Sequence, residues 1–542
     1  MVTVCSFGVH AIILILGIVV FKNVKKFKET NISSKNISTV VAAIGILTIT
    51  ASLPVLLALL IIGAICRVAV YFILKIKHGR QYIGLVSGAD AVHTIDSPTN
   101  SKTCVLGIFE HDYSKSARSV VDAVRDHFDC TLRHMEKFQA TYHNFMGYTY
   151  MVRTTVDAGE CIREIEPQEE IDDEDLVKLL SDTYNSDFPR GNTIFWDIWI
   201  SARPIRLREI SGTQKNYHLS MFRIHHCVAD GVAVFKLVVG VLSRPVEGIS
   251  KLGYPKKPPE NNFMSVAKKC VESLKVALFA PSSILVNLLV RGTDQNFLHD
   301  GRLNGESHLI FRVEQDDVYF QKVKAIKRRL PGASFPDIIL TALSASLSDF
   351  YYEKSSNPPK HITVAIPVVP GAAQLQHLKP GSLTASKIKF SNNYALVLLN
   401  MPLCVKTSIV SRLNLIKEEV KAINNSVDYQ VNYVFMRALS MLPRALIRLV
   451  LGTLNCTAAV SIMPGSCKVT CGRDAPIYTD IGFWIPHLKN MGVGFSVFTY
   501  DDRLFMGLSV DKSLPISVDE GKVIINNAFS YIDLLEKEIG IQ

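Results

Sequence analysis

The pattern of apolar and polar positions divides the chain near residue 80. Residues 2–21 (VTVCSFGVHAIILILGIVVF) carry no charge except through His10 and are long enough to cross a bilayer. No basic segment precedes them, and Lys22, Lys25, Lys26 and Lys28 follow, which favours a retained anchor over a cleaved signal peptide. A second apolar run, 39–74, contains Pro54 and Arg67. As one helix it would measure about 54 Å against a hydrocarbon core of ~30 Å. Two short segments hinged at Pro54, an apolar hairpin entering and leaving on one face, are therefore expected. The 22–38 loop and the residues after Leu74 (Lys75, Lys77, Arg80) are basic, which places both on the cytosolic side. The sequons at Asn31 and Asn36 would then stay unglycosylated.

Beyond residue 80 the periodicities are those of a globular α/β protein. VVDAVRDHF (120–128) and GVAVFKLVVGVL (231–242) have helical spacing, while TIFWDIWI (193–200) and YHLSMFRIHH (217–226) read as strands, with a polar excursion between them. A Pro-, Lys- and Asn-rich linker at 253–262 leads into the apolar segment 263–291. That segment and 432–452 fit either a membrane interface or a core-facing helix. Strand-like stretches at 360–369, 394–403, 458–465, 492–500 and 503–511 alternate with helices to the end, which implies extensive mixed sheet. The expected organisation is a membrane anchor (1–80), an N-terminal half (81–262), and linker helices with a C-terminal half (263–542).

Composition narrows the function. The chain is 48 % hydrophobic, with the excess concentrated in the first 80 residues, so the remainder has an ordinary globular balance. Its net charge of +10 suits anionic lipid headgroups or a phosphorylated substrate. No zinc-finger spacing or aromatic-basic motif points to nucleic acid. Eleven scattered cysteines form neither a disulfide framework nor a four-ligand metal set, so no metal is expected and reduced thiols are.

The chemistry concentrates in HHCVADG (225–231), at the end of one strand and the start of a helix. Neighbouring side chains on a strand face opposite ways, so His225 and His226 do not readily share a metal. One imidazole is then left to a cavity, and with an unperturbed pKa of ~6.5 it suits proton removal from an attacking alcohol. A structural histidine is equally compatible with the residues alone, whereas a Cys227–His226 hydrolase pair lacks the usual sequence setting. No Gly-x-Ser-x-Gly elbow is present.

The pattern His225-His226-x-x-x-Asp230-Gly231 resembles the signature of the wax ester synthase/diacylglycerol acyltransferase family, one of the CoA-dependent acyltransferases. The resemblance extends over roughly Tyr82 to Ile541. SGADA (87–91), NTIFW (192–196), GASFPD (332–337), SIMPG (461–465) and the hairpin around FTYD (498–501) and RLFMGL (503–508) resemble further family segments. It implies an α/β fold of two halves with mixed sheets, of the chloramphenicol-acetyltransferase type, preceded here by membrane helices. It further implies that His226 is the general base. Asp230, paired with a basic residue, would hold the turn, while Gly231 and His225 support it. Phe195, Trp196 and Ser461 become candidates for the substrate channel. Phe195, Pro336 and Ile462 depart from the family pattern, and Ile462 cannot supply the polar group related folds use on the oxyanion.

The donor would be acyl-CoA as co-substrate, with no bound cofactor, and the acceptor a fatty alcohol, diacylglycerol or another lipid alcohol. Lys324, Lys327 and Arg328, in the basic segment 319–332, could meet the CoA phosphates or form a solvated face. The expected setting is the endoplasmic reticulum membrane with a cytosolic catalytic domain. A catalytically inactive lipid-binding or lipid-droplet surface protein is the competing expectation.

Overall fold

The computed structural model describes residues 2–30, 37–207, 215–246, 262–299, 303–370, 375, 378–404, 408–453, 455–471, 476–488 and 490–540. The polar excursion after Ser201 falls partly, and the 253–262 linker almost wholly, outside these residues, as do both sequons.

Two long helices open the chain, α1 (Val2–Thr30) and α2 (Thr39–His78). The hairpin expected at 39–74 is not formed, because α2 runs unbroken through Pro54. Proline removes one amide donor from the helix, but Ser38 caps the N-terminus and the rest of the backbone ladder is kept. Thr39–Gln81 and Cys270–Leu289 are each long and apolar enough to cross a membrane by length and composition.

The N-terminal half follows. Strand β1 (Tyr82–Leu85) leads into a 3₁₀ segment (Gly88–Thr94), β2 (Lys102–Glu110) and α3 (Ala117–Leu132). Next come β3 (Ala140–Phe145), β4 (Tyr148–Arg153), β5 (Ile162–Ile165), α4 (Asp173–Asn185), β6 (Trp196–Ser201) and β7 (Tyr217–His225). The short helix α5 (Gly231–Phe235) widens into a π-turn at Lys236–Leu242. Helix α6 (Asn262–Leu289) joins the halves.

The C-terminal half contains β8 (Ser307–Val313), α7 (Val318–Arg329), α8 (Phe335–Lys354), β9 (His361–Val368), β10 (Ala395–Pro402) and α9 (Ile409–Asn424). The apolar stretch 432–452 is not one helix. It splits into α10 (Asp428–Ala438), a 3₁₀ turn (Leu439–Met441) and α11 (Arg444–Leu451), the last starting after Pro443. Strands β11 (Ala458–Ile462), β12 (Tyr478–Trp484), β13 (Val493–Tyr500) and β14 (Arg503–Asp511), then α12 (Val518–Glu538), complete it.

Two mixed sheets carry the fold. One has the order β12-β2-β7-β6-β5 and the other β8-β14-β13-β11-β9-β10. Each backs its own apolar core. Strand β12 lies late in the sequence yet pairs antiparallel with β2, so the first sheet is completed from the second half. A boundary at residue 262 therefore does not separate two self-contained halves. The departure at Pro336 is benign: it lies in the first turn of α8, where a missing N–H costs no helix bond, and Ser334 with Asp337 closes a capping box.

Candidate active site

Strand β7 is the rigid base of the site. Every residue of it is buried, and it lies between β2 and β6. Asp197 and Arg223 face each other across the β6–β7 pair and are joined by two charge-assisted hydrogen bonds, Nε to Oδ1 at 2.8 Å and Nη2 to Oδ2 at 2.5 Å. Both are buried, and the Arg223 guanidinium also donates to the carbonyls of Tyr184, Ser186 and Asp187, which satisfies its remaining donors.

At the end of this strand the two histidines take different environments, as the alternation of a strand requires. His225 is buried, stacks on Phe195 at a centroid distance of 4.4 Å, and accepts the Cys227 amide on Nδ1. Phe195 in turn stacks on Tyr142 at 4.3 Å, and Trp196 donates its indole N–H to the Phe138 carbonyl. Phe195 and Trp196 thus sit in the packing behind the motif. Burial pushes the His225 imidazole down to about 3, and it is neutral.

His226 is tied by its backbone, donating to the Ser101 carbonyl at 2.7 Å and accepting from Asn392 Nδ2 at 2.6 Å. Its ring lies face to face with His93, centroids 4.0 Å apart and planes 25° apart. Nδ1 of His226 is buried with no hydrogen-bond partner among the described residues. Burial lowers its proton affinity, and Asp230, the Asn392 carboxamide, its own carbonyl and Asp90 oppose this. His93 Nε2 meets the Tyr394 hydroxyl at 2.5 Å.

Among the described residues Asp230 lacks the expected basic partner. Asp230 caps α5, accepting the Ala233 amide on Oδ1 and the Asn393 amide on Oδ2, each at 2.8 Å. The basic residue nearby, Lys137, pairs instead with Asp90 at 2.9 Å and donates to the Val228 carbonyl inside the motif. Asp90 also accepts from the backbone and side chain of Asn392. The turn is therefore clamped by four residues from three distant segments. Of these only Asp90 lay in a segment singled out from sequence, and Lys137, Asn392 and Asn393 had no local signal.

Gly231 faces the later motif: a Cβ there would lie 3.7 Å from the Met463 sulfur. Ser461, on β11, is buried two residues before Met463. Gly465 is required for close approach, since a Cβ would fall 1.9 Å from the Thr499 carbonyl oxygen. Beside Gly231 opens a cavity with a wholly apolar wall, including Val105, Val234, Phe235, Met463, Phe483 and Phe498. Lys324, Lys327 and Arg328 lie on α7, which packs on α12, α8 and β14. Lys324 is engaged by Asp502 and lies over the Phe320 ring.

Residues 390–532 match the WS/DGAT C-terminal domain family. These residues, about a quarter of the chain, are similar to the C-terminal domain of the wax ester synthase/diacylglycerol acyltransferases. The fold agrees over most of the molecule. The wax ester synthase/diacylglycerol acyltransferase of Marinobacter aquaeolei VT8 superposes with a TM-score of 0.53 at 14 % identity, covering 82 % of this chain and 97 % of that one. The trichothecene 15-O-acetyltransferase of Fusarium sporotrichioides gives 0.54 at 11 % identity over 83 % and 95 %. The first condensation domain of the CDA synthetase gives 0.51 at 12 % over 85 % and 97 %. No curated protein sequence matches the chain. The C-terminal family match and the shared fold agree with what the motif resemblance implies.

Proposed function

We propose that the protein is a membrane-bound O-acyltransferase that moves a long-chain fatty acyl group from acyl-CoA to a lipid alcohol. The product is a wax ester from a fatty alcohol or triacylglycerol from diacylglycerol. The observation that carries this reading is the apolar-lined cavity beside Gly231, which adjoins the turn presenting His226 and offers a hydrocarbon surface next to the proposed base.

In this reading Nδ1 of His226 is buried, and Nε2 is the nitrogen that meets substrate. It takes the acceptor hydroxyl proton as the oxygen attacks the thioester carbonyl. The tetrahedral intermediate then expels the CoA thiolate, which receives the proton from the imidazolium. Burial favours the neutral, base-competent imidazole at the start of the cycle. In this reading the catalytic body lies on the cytosolic face of its membrane, where acyl-CoA is available, and the endoplasmic reticulum is the membrane we propose.

A non-catalytic lipid-binding or droplet-surface protein is the second reading, favoured by the apolar Ile462 where related folds offer a polar group. Ester formation by purified protein decides between them. His226→Ala should lower turnover by ~10²–10⁴-fold without unfolding the protein. Equal product from wild type and His226→Ala would remove His226 from the mechanism, and no product from either would favour the second reading.

A further inference from the structure

The connection from β9 to β10 is fixed to the catalytic turn. Gly381 and Leu383 donate their amides to the Val239 and Gly240 carbonyls in the π-turn after α5, at 3.1 and 2.9 Å. Ile388 is buried in the first core, and Phe390 lies edge-on to Phe138 at 5.2 Å. Asn392 and Asn393 then clamp the His226–Asp230 turn itself. The segment 379–389 is therefore held against the site from both ends.

Its outward side is of one chemical kind. Lys379, Ser382, Thr384, Ser386, Lys387 and Lys389 are exposed, while Leu383 and Ala385 are half-buried. Ile388 has extended backbone, so Lys387 and Lys389 on either side of it project the same way. Residues 354–417 contain no aspartate or glutamate, and the three lysines have no hydrogen-bond or ion-pair partner among the described residues. Helix α7 differs, because Lys322 is held by Asp533 and Glu536 and Lys324 by Asp502. Cations with hydroxyls and no carboxylate among them suit phosphate oxygens.

We propose that the 379–389 segment binds the phosphates of acyl-CoA, the 3′-phosphate and the pyrophosphate, while the thioester reaches His226. The inference rests on the acyltransferase reading above for the identity of the ligand. Acyl-CoA carries its phosphates a pantetheine arm away from the reacting carbon, so their site belongs beside the catalytic turn and outside it. Lys389 meets that condition. It precedes Asn392 by at most about 11 Å of extended chain, and the Asn392 carboxamide meets the His226 carbonyl. The competing ligand of the same chemistry is a lipid headgroup. A segment seated on lipid sets apolar side chains among its cations, whereas among the described residues no large apolar side chain between Val368 and Leu415 is exposed. Each exposed lysine–phosphate contact is weak in water, so the three lysines act together.

The test uses the purified full chain with palmitoyl-CoA and hexadecanol. Lys379→Gln, Lys387→Gln and Lys389→Gln combined should raise KM for palmitoyl-CoA about 10–100-fold, with KM for hexadecanol unchanged and kcat reduced less than about two-fold. Wild type should prefer palmitoyl-CoA over its 3′-dephospho form, and the triple variant should lose that preference. An unchanged KM overturns the proposal, as does the same rise from Lys327→Gln with Arg328→Gln and none from the loop. Flotation with phosphatidylcholine–phosphatidylserine vesicles is the lipid arm. Vesicle binding lost in the triple variant, with KM unchanged, assigns the lysines to headgroups and overturns the phosphate site. Titration calorimetry with CoA reads the site without turnover. CoA held by wild type and about ten-fold or more weakly by the variant, with no ester from either, would overturn the proposed reaction alone. Ester from both with equal CoA affinity would overturn the site alone.

Discussion

At the scale of single residues, the imidazole proposed as the base is held by another imidazole. His93 is buried, stacks on His226, and is steadied by Tyr394. Burial keeps His93 uncharged, and a charge on either ring would disfavour one on the other. The stack fixes a ring plane, which matters to proton transfer more than to binding. His93→Ala should therefore lower kcat by about 10–100-fold with little change in KM, whereas His93→Phe, which keeps a ring in place, should retain most of it. Equal losses in the two variants, in steady-state kinetics, would show that a nitrogen of His93 is needed. The His225-His226 pair was legible from sequence because its spacing is local. His93 was not, since a histidine 133 positions before the base joins it only through the fold.

At the scale of elements, the turn from β7 into α5 depends on two acceptor contacts from one carboxylate. Asp230 Oδ1 caps α5 and Oδ2 receives the Asn393 amide. Asp230→Asn keeps one carbonyl oxygen, which can cap the helix, but its NH₂ group cannot accept from Asn393. The part-buried amide contact of Asn393 is lost, at a cost of about 1 kcal/mol. Chemical denaturation should show that loss, and an unchanged midpoint would assign Asp230 to something other than holding the turn. The strands were legible from their patterns: β14 matches the expected 503–511 stretch residue for residue. The anchor was not, because length alone divides a 39–74 run only if the helix must cross the bilayer. The helix instead continues through Pro54 as one piece, without a hinge. The reverse held at 432–452, where Pro443 ended the apolar run and the C-terminal piece started afresh.

At the scale of the whole molecule, buried neutral histidines make stability depend on pH. His225 is pushed down to about 3 and His218 to about 4 by burial, and burial also holds His93 well below the ordinary imidazole value. In the unfolded chain these groups protonate near ~6.5. Below that pH the unfolded state binds more protons, so stability falls as pH drops from about 6.5 toward 3. Thermal unfolding across pH 8 to 4 should show the melting temperature starting to fall near pH 6.5. A melting temperature flat down to pH 4.5 would contradict the neutral burial of these rings.

The pairing of β12 with β2 also sets a timetable. Strand β2 ends at Glu110, but the partner for its outer edge is made only when Trp484 leaves the ribosome. Roughly 370 residues of synthesis intervene, about 20–75 s at 5–20 residues per second. Through that interval a nascent chain exposes an unpaired strand edge, a template for aggregation. Production of this protein should therefore be limited by chaperone capacity during translation, and an N-terminal fragment ending at residue 262 should accumulate as aggregate.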